Sequence, residues 1–124
     1  MSTDWTSLRQ HAGPYPPAAF VFVQEGLRHT VDALREAEPD MPEHGRHVSG
    51  AELCFGLRDY ALQQFGLLAR SVMRSWSVER TEDFGRIVFA LVEAGCLRKT
   101  DEDHIEDFQG VFEFDEAFCA ARIA

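Results

Sequence analysis

The sequence predicts a mainly α single domain that closes with a small antiparallel β-hairpin, an α+β arrangement. Three observations predict it. Apolar residues recur at spacings of three and four along three long stretches, the pattern of amphipathic helices. Ser49 and Glu52 stand in the S-x-x-E order of a capping box, which fixes a helix start. After a glycine stop at Gly95, Leu97 to Thr100 and Val111 to Phe114 read as two short strands around a polar tip. A helix, a turn, a second helix and a hairpin in this order, from Leu67 to Phe114, make the outline winged-helix-like.

Residues 1–15 are polar and then punctuated by proline, and read as a flexible N-terminal lead. Pro17 suits a first helical turn. From Ala18 to about Glu38, Phe20, Val23, Leu27, Val31 and Leu34 share one stripe, although Gly26 costs that helix roughly 1 kcal/mol. Pro39, Pro42 and Gly45 break the pattern until Ser49. The capped helix runs to about Gly66. Leu53, Leu57, Tyr60 and Ala61 form one face, while Phe55 and Leu62 project from nearly the opposite one, so the helix is apolar on two sides and central.

A shorter helix from Leu67 to about Trp76 presents Leu68, Val72 and Trp76 inward and Arg70 and Arg74 outward. Ser77 to Arg80 form a turn. Thr81 is expected to cap the next helix, with Glu82 and Asp83 in the first turn where the helix dipole favours negative charge. Phe84, Ile87, Val88, Leu91 and Val92 give its inward stripe. In the second strand Phe112 and Phe114 alternate with Val111 and Glu113. Asp115 caps a last helical turn holding Phe118, and 120–124 read as a frayed C-terminus, so the globular domain spans 16–119.

Composition narrows the function classes. A chain of 124 residues, 45% hydrophobic with ten Phe, supports one core. The net charge of -9 opposes binding to nucleic acid or to an anionic membrane. Thr100 to Glu116 sharpen the point, because the wing would carry eight carboxylates and no lysine or arginine, where a phosphate-binding wing needs cations. The longest apolar run, Pro17 to Val23, is too short to span a bilayer, and Met1 to Gly13 have no signal-peptide pattern. Cys54, Cys96 and Cys119 are odd in number and widely spaced, as reduced, packed thiols are. A cytoplasmic location is the expectation.

No chemistry-bearing motif stands out, and no cofactor is expected. An EF-hand beginning at Asp101 would need glycine where Glu106 stands and glutamate where Phe112 stands, so the acidic tip reads as a solvated turn, His104 included. His44 and His47 lie near Cys54 in sequence, but Cys54 sits past the first helical turn, where the dipole lowers a thiol pKa little, and a packed cysteine is the simpler reading. Left over after the core faces are assigned are Phe55, Leu62 and Phe89, with Arg70 and Arg74 beside them. Either the first helix covers these apolar groups, or the five form the candidate interaction surface for an unknown protein partner or for self-association. Arg58, Arg70, Arg74 and Arg80 oppose only Asp59 and Glu79, while the C-terminal end is acidic, an asymmetry suited to self-association. The reading is a non-catalytic interaction or regulatory module; the alternatives are a winged-helix nucleic-acid-binding regulator and a small enzyme or metal-binding protein.

The runs YPPAAFVFVQEGL, HVSGAELCFGLRDYALQQFGLLARSVMRSW and RTEDFGRIVFALVEAGCLRKTDEDHIEDFQGVFEFDEAF cover nearly everything after Tyr15. Together they resemble the Minf family of small uncharacterised bacterial proteins. The resemblance implies a free-standing cytosolic bacterial domain and assigns no activity, cofactor or catalytic residue.

Overall fold

A computed structural model describes residues 5–40 and 47–118. Its helices in chain order are α1 (Trp5–Arg9), α2 (Pro17–Ala37), α3 (Gly50–Phe65), α4 (Ala69–Ser75), α5 (Thr81–Glu93) and α6 (Phe114–Ala117), with 3-10 turns at Gly66–Leu68 and Ile105–Phe108. Within the segment expected to be a flexible lead, α1 is helical and Leu8 and Tyr15 are buried.

The long helices start where local chemistry dictates. Pro16 is extended ahead of α2 and Pro17 occupies its first turn, where a missing N–H costs nothing. At α3 the capping box forms: Glu52 N donates to Ser49 Oγ at 3.1 Å, and Ser49 N donates to Glu52 Oε1 at 3.0 Å. The two helices run antiparallel and cross closely through glycine. A Cβ on Gly26 would lie 2.3 Å from Leu57 Cδ2, and one on Gly56 would lie 1.9 Å from Thr30 Oγ1. Gly26, a cost to α2 in isolation, is what lets Leu57 seat against its backbone. α5 packs on α2 and on the Ile105–Phe108 turn, and Phe20, Leu57, Met73, Phe84, Ile87 and Leu91 are fully buried between these elements.

The hairpin expected after Gly95 is absent: among the described residues there is no strand, so the α+β and winged-helix readings are overturned. Polar side chains captured the backbone donors that a ladder would have used. Gly95 does adopt the left-handed φ of 79° expected at a helix stop. Cys96 N and Leu97 N then fold back to Leu91 O at 2.8 and 3.3 Å. Thr100 N and Oγ1 both donate to Asp103 Oδ2, at 2.7 and 3.3 Å, and His104 N donates to Asp107 Oδ2 at 3.0 Å, which winds the tip into a 3-10 turn. Val111 N donates to Thr81 Oγ1 at 3.1 Å instead of to a neighbouring strand. Phe112 and Phe114 do not alternate across a sheet; they cluster with Phe118, with ring centroids 5.1 to 6.5 Å apart.

Three local expectations shift as well. Thr81 is the first residue of α5, not its cap; Asp83, two residues on, accepts from Glu79 N and Arg80 N at 2.8 and 3.2 Å and closes the helix start. Along α4 Val72 and Trp76 pack partly buried against the core as expected, Ala69 and Met73 are buried besides, and Leu68, in the 3-10 turn ahead of α4, is 66% exposed. α6 starts at Phe114, with Glu113 rather than Asp115 in the capping position.

Candidate functional site

On α3 the side chains at positions 55 and 58 are one turn apart and neighbours on the helix surface. Phe55 is 41% exposed, and the Arg58 guanidinium carbon lies 5.0 Å above its ring. Asp59 Oδ1 accepts from Arg58 Nε and Nη2 at 3.0 and 2.9 Å, which anchors the guanidinium beside the ring. On its other flank Phe55 meets Phe112, ring centroids 5.4 Å apart, and Phe112 meets Phe114 at 5.7 Å. The Arg70 guanidinium carbon sits 5.5 Å over Phe114, and Arg70 Nε donates to Asp115 Oδ1 at 3.2 Å. Buried Arg70 Nη1 has no hydrogen-bond partner among the described residues. The result is an aromatic strip with an arginine over each end, exposed at Phe55, half-buried at Phe112 and fully buried at Phe114.

The five residues singled out from the sequence therefore part company. Phe55 and Arg70 belong to this strip and are linked through Phe112 and Phe114. Leu62 is partly buried against the core. Phe89 is also partly buried, with its ring edge-to-face with Phe108 at 6.4 Å, and belongs to the packing between α5 and the 3-10 turn. Arg74 is exposed on α4. Phe112 and Phe114 escaped the sequence reading because they were assigned to a strand. Arg58, three residues after Phe55, carried a helical-spacing signal that could have placed it on the strip.

Two other clusters are structural. Buried Asp83 has its Oδ1 bonded by the Tyr15 hydroxyl at 2.5 Å and by Arg86 Nη1 at 3.2 Å, while its Oδ2 takes the two backbone donors at the start of α5. Burial, with the Asp83 contact adding to it, pushes the Tyr15 hydroxyl up to about 12, so it remains a neutral donor that ties the N-terminal segment to α5. Cys54 is fully buried, and desolvation, with Glu82 adding to it, pushes its thiol up to about 12. A neutral, enclosed thiol is a packing group and not a nucleophile. His47 pairs with Asp103 through Nε2 at 2.8 Å; His44 lies outside the described residues. Among the described residues no three His, Cys, Asp or Glu side chains converge on a possible metal position. α5 packs against α2 and the Ile105–Phe108 turn, with Arg86 and Glu93 exposed on it.

A cleft of about 270 Å³ opens between α2, the start of α3, α5 and the segment that leaves α5. No protein-family model, no curated protein and no solved structure matches the chain. No helix among the described residues is long and apolar enough to cross a membrane.

Proposed function

We propose that this protein is a non-catalytic interaction module whose contact surface is centred on exposed Phe55 and on Arg58 of α3, with half-buried Phe112 beside them. The observation that carries the reading is Phe55, 41% exposed between the Arg58 guanidinium and the Phe112 ring. Aromatic and arginine side chains are the types enriched where protein surfaces bind, because each offers a large apolar area together with directional polar edges. Arg58 and Arg70 are already oriented by Asp59 and Asp115, so little side-chain freedom is lost when a partner covers them. The partner is a second copy or another protein.

A photo-crosslinking side chain placed at position 55 tests this in the source cells, with the same group at exposed Asp32 on α2 as control. A discrete adduct at position 55 and none at 32 supports the module, and sedimentation of the purified protein then separates self-association from a foreign partner. Equal or absent crosslinking at the two positions refutes it.

A further inference from the structure

We propose that the cleft between α2, α3 and α5 is a binding site for a small monoanionic amphiphile, an apolar chain or ring ending in one carboxylate. The floor is apolar and comes from three helices: Leu27 and Val31 from α2, Leu53 from α3, Val88 and Val92 from α5. Its 270 Å³ equals roughly nine waters at ~30 Å³ each, so the site suits a ligand of about eight to ten heavy atoms.

The mouth supplies the charge. Arg98 and Lys99, on the segment leaving α5, line the cleft and are exposed, and neither makes an ion pair among the described residues. The carboxylates at the same rim are already engaged. Asp103 Oδ1 pairs with His47 Nε2 at 2.8 Å, and its Oδ2 takes the Thr100 donors at 2.7 and 3.3 Å. Asp107 Oδ2 takes His104 N at 3.0 Å. An apolar floor with two cations at its edge that make no ion pair among the described residues fits a ligand with one negative end. This site is separate from the aromatic strip and does not depend on the interaction reading.

Titration of the full chain with sodium octanoate at low salt, followed by methyl and amide NMR, tests the assignment. Octanoate is expected to shift Val31, Val92 and Lys99 in a saturable way. 1-Octanol should bind at least about tenfold more weakly and octylammonium not measurably, since a charge-assisted contact is lost in the first and reversed in the second. The double variant Arg98→Glu and Lys99→Glu should weaken octanoate by about tenfold or more with its circular dichroism unchanged. Val31→Phe, which fills the floor from a half-buried position, should abolish saturable binding. Octanol binding as tightly as octanoate, charge reversal without effect, saturable shifts centred on Leu8 and Phe20 instead, or no saturable shift at millimolar octanoate would each overturn the proposal.

Discussion

Replacing Gly56 with alanine sets two opposed effects against each other at the crossing of α2 and α3. On an isolated helix the change is favourable by about 1 kcal/mol, because alanine loses less backbone entropy than glycine. In the folded protein the new methyl would lie 1.9 Å from Thr30 Oγ1 and 2.8 Å from both Thr30 Cβ and Cγ2. Thr30 cannot easily withdraw, since it is 5% exposed and its hydroxyl donates to Gly26 O at 2.7 Å. Forcing the helices apart costs about 1–3 kcal/mol for one inserted methyl in a packed interface, and losing the Thr30 hydrogen bond adds about 1 kcal/mol. The net expectation is a loss of about 1–3 kcal/mol, or a fall in Tm of about 4–12 °C for a domain of this size. Urea unfolding reads it as a lower midpoint at unchanged slope. Thr30→Ala removes two of the three clashing atoms, so the double variant should be more stable than the sum of the single losses predicts. A Gly56→Ala protein as stable as the parent, or more stable, would refute a close crossing at this point.

Asp83→Asn should cost about 2–4 kcal/mol, measured by urea unfolding, because a buried acceptor of four donors is replaced by a group that brings donors of its own. Tyr15 and Cys54 both have folded pKa values raised to about 12 from ordinary values of 10.0 and 9.0. The unfolded chain therefore releases these protons first as pH rises. Their contribution to stability is complete below pH 9 and declines as pH climbs towards 12, so the urea midpoint should fall across that window, and a midpoint that rises there would contradict it. Native protein at pH 8 should leave Cys54 unmodified by a thiol reagent while urea exposes it, and mass mapping of the labelled peptide distinguishes it from Cys96. Phe55→Glu should change stability by less than about 1 kcal/mol, as expected for a side chain 41% exposed, while removing any association that uses the strip.

Helix positions were legible because their causes are local. The stripe Phe84, Ile87, Val88, Leu91, Val92, the Ser49 and Glu52 box and the stop at Gly95 each depend on residues within one or two turns, and all three appear in the fold. The segment after Gly95 was misread for the complementary reason. Alternating apolar residues in Val111 to Phe114 are compatible with a strand, but a strand needs a partner ladder, and the donors of Thr100, His104 and Val111 found the closer oxygens of Asp103, Asp107 and Thr81.

For the candidate surface the split is the same. Phe55 was recognisable as an aromatic residue off the α3 core face, and it is 41% exposed. Phe89 was recognised by the same logic, yet the Ile105–Phe108 turn folds over it and half buries it against Phe108, a contact that spans nineteen residues of chain and leaves no periodic trace. The aromatic strip and the cleft likewise join residues from α3 with residues beyond α5. The amino-acid sequence by itself determined the long helices α2, α3 and α5, because hydrogen-bond caps and hydrophobic periodicity act within a few residues. Only tertiary structure decided which leftover apolar and charged groups meet, because that follows from how helices cross at Gly26 and Gly56 and from where polar turns redirect the chain.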